Sequence, residues 1–448
     1  MEIVLVLLAS CVASWQFAEP LVVGESNVTH FWMPGVGGIA TVGRHSQSLL
    51  LTIDENGDGT KPVDCTHVKC SPRHYFLNNS KPSGWTARPT MASVPMNALI
   101  VYANKSHRGL SGIHLDATSN ASGCISYTDW VFDEDGQQAR VLGQGCAPLH
   151  GLPRMASTHI QIMPSGGTLA DGTRLAIAYG AVFNATSGGP GDGYSSFLFA
   201  SKDGGASWAV RARFDRTEGM PQAVGCGGWS PPTIGTCGPC EPAFVVLNDG
   251  RTVVTVLRIQ SGQNLWQAVS RDGAAVTWTE PTETSAWSVF PQMRSLRNGA
   301  VVLAAGRPSI GMWQLDLKTF VWGQFVNLAA AHNAALPPSA PKDYAFDALE
   351  AAVSNCSSPV SSPALTKAYT ALAPLPCEGE GEGEGGGGGT TCSVVVAYDR
   401  LANGNGIPPG VNGQVDRVFT MRVQVKAPPG ARKPVKVQNP VINFSHKK

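Results

Sequence analysis

Residues 201–208 have the sequence Ser-Lys-Asp-Gly-Gly-Ala-Ser-Trp, a turn motif that decides the fold class. A stretched copy with one inserted residue occupies 270–278, and a remnant with Asp316 and Trp322 follows. In this motif the Asp side chain accepts backbone N–H bonds, Gly adopts positive φ, and Trp packs back onto a sheet. The motif therefore predicts a turn between two antiparallel strands, repeated along the chain.

A second motif, Leu-x-Asp/Asn-Gly followed by a short apolar run, precedes each of these turns. It occupies 169–180, 247–258 and 296–307. The motif is typical of a tight hairpin, and the apolar run has the length of a strand. Short antiparallel sheets that repeat in this way indicate a propeller. The predicted fold is all-β, a six-bladed β-propeller of four-stranded antiparallel blades. Further candidate inner strands lie at 48–53, 98–103 and 394–397.

The composition fits a turn-rich globular protein. The 448 residues include 33 Lys+Arg and 32 Asp+Glu, so the formal net charge is +1. This balance gives no electrostatic basis for a nucleic-acid surface. Hydrophobic residues make up 43%, enough for a large core, which excludes disorder throughout. A coiled coil is excluded because it needs Ala, Glu, Lys, Leu and Arg at about half of all residues.

The amino-terminal segment predicts export. Residues 3–13 form an apolar run too short to span a membrane, and Ala13 or Ala18 offers a cleavage site. We therefore expect a signal peptide over 1–18 and a secreted protein, extracellular or in the secretory-pathway lumen. Glu2 lies where a signal peptide usually has Lys or Arg, so a buried amino-terminal strand is the alternative. No transmembrane segment is expected, because no other run reaches about 18 apolar residues.

Glycosylation sequons and cysteines agree with export. The Asn-x-Ser/Thr pattern of a glycoprotein occurs at Asn27, Asn78, Asn104, Asn120, Asn184, Asn355 and Asn443. Of 11 cysteines, an even number remains once Cys11 leaves with the signal, which favours disulfide bonds. The near-neighbour pairs are Cys65–Cys70, Cys124–Cys146 and Cys377–Cys392. The Cys237-Gly-Pro-Cys240 stretch lacks a second pair at zinc spacing, so disulfides are favoured over a metal site there too.

The segment 329–391 interrupts the blade pattern. It is rich in Ala, Pro and Ser and then becomes a Gly/Glu tract over 378–389, which cannot bury apolar surface. We predict a low-complexity insertion, disordered in its Gly/Glu-rich part, between the fifth and sixth blades. The propeller would span 19–426, and a basic tail would follow over 427–448.

The chain resembles the sialidase (neuraminidase) superfamily of BNR, or Asp-box, β-propellers. Residues 201–208 match the family's pattern S-x-D-x-G-x-[ST]-W. Residues 241–250, followed by Arg258, look like its E-P-x(4)-L-x-D-G stretch with an arginine. The resemblance runs from about residue 153 to 425, without the insertion. The Asp box marks the fold and occurs in propellers with other activities, so the Glu241 and Arg258 combination is the more specific signal.

The resemblance implies an exo-α-sialidase-like glycosidase that acts on sialic acid or a related acidic sugar. In the family, three arginines hold the sugar carboxylate through paired N–H donors that Lys cannot reproduce. The nucleophile is a Tyr, an exception among glycosidases that use paired carboxylates. Because a neutral phenol is a weak nucleophile, a Glu acts as its base, and an Asp protonates the leaving oxygen.

Carried onto this chain, the resemblance gives catalytic roles to two residues. Glu241 resembles the base, and Tyr398, at the end of an apolar strand, resembles the nucleophile. A structural carboxylate and a buried strand-end tyrosine are the alternatives at these two positions. No Asp is assigned as the acid, although Asp64 follows Arg44 at a tolerable spacing.

The carboxylate-binding arginines are carried over in the same way. Arg258 resembles the second arginine, and Arg307 is the candidate for the third because it has the same position in the next repeat, with Arg400 as an alternative. The family's amino-terminal Phe-Arg-Ile-Pro segment is absent, and Arg44 or Arg154 is the candidate to replace its arginine. A structural or outward salt-bridging Arg is the alternative reading of these positions.

The leading hypothesis is therefore a monomeric sialidase-like glycosidase whose partners are sialylated or other acidic glycans, with no nucleic acid. A non-catalytic glycan-binding β-propeller is the first alternative, and a scaffolding propeller without a sugar site is the second. The proposed chemistry requires no metal and no other cofactor. The acidic cluster at 54–58 is predicted to be a hairpin turn, because it lacks the final Glu of a calcium-binding loop.

Overall fold

The structure is a computed structural model, and it is almost entirely β-sheet. Within the ranges that it describes, no helix is long and apolar enough to cross a membrane. The described residues are 15–26, 39–42, 48–53, 73–78, 86–87, 100–101, 106–116, 123–132, 139–183, 190–220, 238–259, 263–287, 289–355, 365–366, 368–377, 391–402 and 415–428.

Strands account for most of the described secondary structure. In chain order they are β1 Trp15–Phe17, β2 Leu21–Ser26, β3 Ile39–Val42, β4 Ser48–Ile53, β5 Arg73–Asn78, β6 Thr86–Ala87, β7 Ile100–Val101, β8 His107–Leu115, β9 Gly123–Phe132, β10 Ala139–His150, β11 Met155–Thr168, β12 Arg174–Phe183, β13 Pro190–Ser201, β14 Trp208–Phe214, β15 Cys240–Val246, β16 Val253–Arg258, β17 Asn264–Ser270, β18 Thr282–Trp287, β19 Val289–Ser295, β20 Val301–Gly306, β21 Ile310–Leu315, β22 Trp322–Asn327, β23 Ala371–Pro374, β24 Thr391–Arg400 and β25 Asp416–Lys426. The helices are α1 Leu328–Ala335, α2 Ala348–Ala351 and the 3₁₀ turn Lys342–Tyr344.

These strands form five sheets. Three are four-stranded, with the orders β3-β4-β5-β6, β15-β16-β17-β18 and β19-β20-β21-β22. A fourth has the order β1-β25-β24-β23, with β2 also paired to β25. The fifth has eight strands, because two antiparallel groups, β7–β10 and β11–β14, join where β10 pairs in parallel with β14. The prediction of an all-β fold is confirmed.

The chain divides into two compact units, each with its own core. The first unit comprises 1–91, 261–265 and 283–434, and the second comprises 92–260, 266–282 and 435–448. Large buried apolar side chains of the first unit include Leu328, Val396, Tyr398 and Phe419. Those of the second unit include Leu110, Leu149, Phe197, Phe199 and Trp208. Each such side chain contributes about 1.5–3 kcal/mol when fully buried.

The turn at 201–208 forms as the sequence predicts. Asp203 accepts hydrogen bonds from the N–H and the hydroxyl of Ser207, at 2.9 and 2.6 Å, and from the Ser201 hydroxyl at 2.7 Å. Burial acts to raise the pKa of Asp203, but these hydrogen bonds outweigh it and lower the pKa. Trp208 is only 1% exposed and packs in the core of the second unit, so the Trp turns back onto the sheet.

The stretched copy at 270–278 forms the same kind of hydrogen-bonded turn despite its inserted residue. The carboxylate of Asp272 accepts the backbone N–H groups of Ala274, Ala275, Val276 and Thr277. In the remnant, Asp316 accepts the N–H of Lys318 at 2.8 Å, and Trp322 is buried at the start of β22. All three turns therefore rest on an Asp that bonds to the backbone.

Two of the three predicted disulfide bonds are present. Cys124 is bonded to Cys146, and Cys377 to Cys392. The pair Cys65–Cys70 lies outside the described residues. Cys240 is a buried free thiol, so the expectation of a disulfide at this position was wrong.

Part of the predicted insertion 329–391 forms regular structure. Helix α1 begins after Asn327, whose side chain accepts the N–H of Ala330 at 3.0 Å. Its buried face packs in the core of the first unit. Strand β23 also lies within the segment and pairs with β24. The Gly/Glu tract 378–389 lies outside the described residues.

The amino-terminal strand β1 belongs to the same sheet as β23 to β25. Trp15, Gln16 and Phe17 pair in antiparallel register with β25. Trp15 is 3% exposed and packs in the core of the first unit. The predicted signal peptide, 1–18, includes this strand, whereas residues 1–14 lie outside the described part of the chain.

Candidate functional site

Strand β15 begins with a β-bulge that carries Glu241. Cys240 lies opposite Arg258, and the register shifts before Ala243. Glu241 has φ +37°, a left-handed conformation that non-glycine residues rarely adopt. Pro242 follows and lacks an N–H, which suits a position where the hydrogen-bond ladder is interrupted.

Strand β19 begins with the same kind of bulge but without the carboxylate. Phe290 has φ +44° and precedes Pro291, and the register shifts between Val289 and Gln292. The left-handed residue before proline is thus a repeated feature of the scaffold. The acidic side chain at Glu241 is not part of that repeat.

Glu241 and Arg258 lie at the same end of their sheet. Strand β15 leads from Glu241 to the hairpin after Leu247, and antiparallel β16 returns from it to Arg258. Oε2 of Glu241 is 2.5 Å from Nη1 of Arg258. The two side chains are 10% and 15% exposed, so the ion pair is largely buried yet retains contact with solvent.

The thiol of Cys240 lies in the same electrostatic environment. Burial raises the pKa of Cys240 to about 12; Arg258 opposes this shift and Glu241 adds to it. The thiol is therefore protonated at neutral pH and is unsuited to act as a nucleophile.

Strand β13 of the second unit packs against the segment that leads into β15. The hydroxyl of Ser196 donates a hydrogen bond to the carbonyl of Pro239 at 2.8 Å. A Cβ at Gly238 would lie 2.3 Å from the carbonyl oxygen of Tyr194, and Gly238 has φ +137°, so only glycine fits here. These contacts fix the position of Tyr194 relative to the start of β15.

The charge of Glu241 acts on the phenol of Tyr194. Burial raises the pKa of the Tyr194 phenol, and Cys240 and Glu241 raise it further. The ring of Tyr194 meets the ring of Tyr179 edge to face, at 5.3 Å between centroids. The Tyr179 hydroxyl donates to Oε1 of Gln161 at 2.7 Å.

The first unit holds a second cluster around Arg307. The guanidinium carbon of Arg307 lies 5.6 Å from the ring centroid of Tyr369, and the ring of Phe290 lies 4.8 Å from the same ring. Arg307 and Ala368 both have positive φ, at +51° and +65°. Gly306 packs against Ala368 so closely that a Cβ would lie 2.1 Å from the alanine Cβ. Left-handed non-glycine residues cluster at functional sites.

Arg307 is not the structural equivalent of Arg258. The hairpin after Leu296 closes one residue earlier than the hairpin after Leu247. In register, Gly306 therefore corresponds to Arg258, and Arg307 lies one residue beyond its strand. The assumption of an identical repeat position was wrong by one residue, because the two turns differ in length.

Tyr398 is fully buried in the core of the first unit. Its hydroxyl lies 2.8 Å from Nδ1 of His332, whose Nε2 lies 3.1 Å from the carbonyl oxygen of Tyr344. Because that carbonyl only accepts, His332 carries its proton on Nε2 and accepts from Tyr398 at Nδ1. Burial strongly raises the pKa of Tyr398. These contacts match the alternative of a buried strand-end tyrosine, and the nucleophile role of Tyr398 stays a prediction.

The remaining predicted residues differ in their surroundings. Arg154 is exposed in the segment before β11. Arg400 is buried directly opposite Arg417 in the pair β24–β25, and burial followed by the charge of Arg417 lowers its pKa. Arg44 and Asp64 lie outside the described residues.

The structure thus brings together Glu241 and Arg258, in the second unit. Arg307, Tyr398 and Arg400 belong to the first unit. Within the described ranges, no group of three His, Cys, Asp or Glu side chains could hold a metal ion.

Two tyrosines of interest, Tyr194 and Tyr369, were missed in the sequence. Tyr194 precedes the buried run of β13, and Tyr369 lies two residues before β23. A residue at the start of one strand reaches the same end of an antiparallel sheet as a residue that ends the next strand. A search of strand starts as well as strand ends would have found Tyr369, whereas Tyr194 is the fifth residue of β13.

No family model matches this chain, and no curated protein is significantly similar to it. Among solved structures, it is similar to a Dyadobacter fermentans protein of unknown function, with 13% identity, TM-score 0.49, and coverage of 92% of this chain and 100% of that one. The α-L-arabinofuranosidase Arb93A of Fusarium graminearum has 9% identity and a TM-score of 0.45, with coverage of 92% of this chain and 98% of that one. The NanB sialidase of Streptococcus pneumoniae has 11% identity and a TM-score of 0.43, with coverage of 92% of this chain and 70% of that one. Because these TM-scores are below 0.5, the similarities establish neither a family nor an activity.

Proposed function

We propose that this protein is a secreted glycoside hydrolase that removes a terminal sialic acid, or a related acidic sugar, from glycoconjugates. The observation that carries the proposal is the ion pair between Glu241 and Arg258, held at a sheet end by a left-handed residue before proline. We further propose a six-bladed propeller. Its blades would be β3–β6, β7–β10, β11–β14, β15–β18, β19–β22 and β23–β25 with β1.

The two side chains have complementary roles in this proposal. Arg258 binds the sugar carboxylate, for which a planar guanidinium is suited. Glu241 acts as the general base for a tyrosine nucleophile. Arg307, Arg154 and Arg44 are the further candidates to bind the carboxylate.

Tyr369 is a better candidate for the nucleophile than Tyr398. The hydroxyl of Tyr398 is bonded to His332 inside the core, and its burial disfavours the phenolate. Tyr369 is 8% exposed, two residues before β23, and the guanidinium of Arg307 lies over its ring. That positive charge would stabilise negative charge developing on the phenol.

A non-catalytic glycan-binding propeller is the second candidate function. The burial of Tyr398 favours it, because the predicted nucleophile is then out of reach of a sugar. In that case Arg258 and Arg307 would bind a carboxylate without any bond being broken.

Release of 4-methylumbelliferone from its α-sialoside by the purified full-length protein tests the proposal. We expect turnover by the natural protein and a fall in kcat of about 10²–10⁴-fold in Glu241→Gln. Tyr369→Phe should remove turnover, whereas Tyr398→Phe should retain it. Thermal melts of all variants show whether each one is folded.

The outcomes separate the candidates. Loss of activity in Tyr398→Phe but not in Tyr369→Phe would restore Tyr398 as the nucleophile. If the natural protein binds sialylated glycans without hydrolysing any common linkage, the binding function replaces the hydrolase.

A further inference from the structure

Two tyrosines beside the start of β15 differ in what their hydroxyl groups do. The hydroxyl of Tyr179 donates to Gln161. The half-buried side chain of Tyr194 has no hydrogen-bond partner among the residues that the structure describes. The two rings otherwise share one environment, because they meet edge to face.

Backbone contacts fix the position of Tyr194, although its hydroxyl has no hydrogen-bond partner within the described part of the chain. Gly238 packs against its backbone, and the neighbouring Ser196 is bonded to Pro239. Since Cys240 and Glu241 follow directly, the backbone of Tyr194 is held near the start of β15, where the ion pair of Glu241 and Arg258 lies. A donor that is already positioned loses little conformational entropy when it binds a ligand.

The charges near Tyr194 define its chemistry. Burial and the charges of Cys240 and Glu241 raise the pKa of its phenol, so the group is neutral and keeps its proton at neutral pH. The neutral O–H of Tyr194 and the guanidinium of Arg258 are two kinds of donor that suit an oxygen-rich anion. The carboxylate of Glu241 disfavours a ligand whose negative charge lies close to that carboxylate.

We propose that Tyr194 is a ligand-binding residue of the Glu241–Arg258 site, whose hydroxyl donates a hydrogen bond to an oxygen of an acidic sugar. This inference rests on the proposed function, because it takes its ligand from the same class. It adds a specificity-determining residue that neither the motifs nor the family resemblance indicated. Tyr179 is the matched control, because its hydroxyl is already used within the protein.

Calorimetric titration of the full-length protein tests this inference without requiring turnover. The ligands are N-acetylneuraminic, glucuronic and galacturonic acids. The variants are Tyr194→Phe, Tyr179→Phe and Arg258→Lys, each checked by a thermal melt. We expect Tyr194→Phe to weaken binding about 3- to 10-fold, as for one lost hydrogen bond. Tyr179→Phe should stay within about twofold of the natural protein.

The result that overturns the inference is specific to it. If Arg258→Lys weakens binding while Tyr194→Phe leaves it unchanged, Tyr194 is not a binding residue and the proposed function survives. If the natural protein binds none of the three acids at millimolar concentration, both proposals are wrong. Equal weakening by both tyrosine variants would also overturn the inference, because the effect would then come from packing.

Discussion

At the scale of single residues, two ion pairs of the second unit differ in burial. Nε and Nη2 of Arg108 donate to both carboxylate oxygens of Asp129 at 2.7 Å, and both side chains are 8% exposed. Nη1 of Arg108 also donates to the carbonyl of Gly205, in the turn 201–208. Arg213 and Asp215 form an equally short pair, but they are 38% and 50% exposed.

The two pairs should therefore respond differently to loss of the arginine. We expect Arg108→Met to lower the free energy of unfolding by about 3–5 kcal/mol, because Asp129 is left buried and unpaired. Arg213→Met should lower it by less than about 1 kcal/mol, since water replaces the partner. Urea unfolding measures both, and equal losses would contradict the argument. The double variant Arg108→Met/Asp129→Leu should recover much of the stability.

Only some residues of the candidate site could be predicted from the sequence. Glu241 and Arg258 were predicted, because a hairpin with strands of similar length brings the start of one strand beside the end of the next. For Tyr398 the sequence left two alternatives open, a nucleophile and a buried strand-end tyrosine, because His332 of helix α1, which contacts its hydroxyl, is remote in sequence. Contacts of this kind depend on tertiary packing, which local patterns do not encode.

At the scale of elements, turns were more predictable than the segment between β22 and β24. The Asp-box turns rest on bonds within a few residues, so their motifs suffice. Helix α1 was missed within a segment rich in Ala, Pro and Ser. Its signal was local all the same: Asn327 caps an Ala-rich run, and its side chain accepts the N–H of Ala330.

Helix α1 also makes stability depend on pH through His332. Burial lowers the pKa of His332 to about 4; the bond to Tyr344 opposes this and Arg400 adds to it. Between pH 6.5 and about 4 the unfolded chain binds the proton and the folded chain does not. Stability should therefore fall as the pH decreases through this range, by up to about 1.4 kcal/mol per pH unit for this group.

Melting temperatures at pH 7 and pH 5 test this dependence. His332→Phe should lose part of the difference between the two values, even if it is less stable at both. His107 is a second contributor, since burial lowers its pKa to about 4 as well. His114→Phe is the control for loss of a histidine, because that side chain is exposed on β8. If the melting temperatures of His332→Phe at pH 7 and pH 5 differ by as much as those of the natural protein, His332 is not a source of the pH dependence.

At the scale of the molecule, one sheet combines the first described strands with the last. Strands β1 and β2 both pair with β25, which lies more than 370 residues later in the sequence. Early and late segments of the chain are thus joined in one sheet. The sheet therefore depends on residues that the sequence alone assigned to a signal peptide.

This dependence predicts that loss of Trp15 destabilises the sheet. Because loss of a buried Trp side chain costs about 3–5 kcal/mol, we expect Trp15→Ala to melt at a lower temperature than the natural protein. A version that begins at Glu19 lacks β1 and should also melt at a lower temperature. Unchanged melting of both variants would show that β1 contributes nothing to the last sheet.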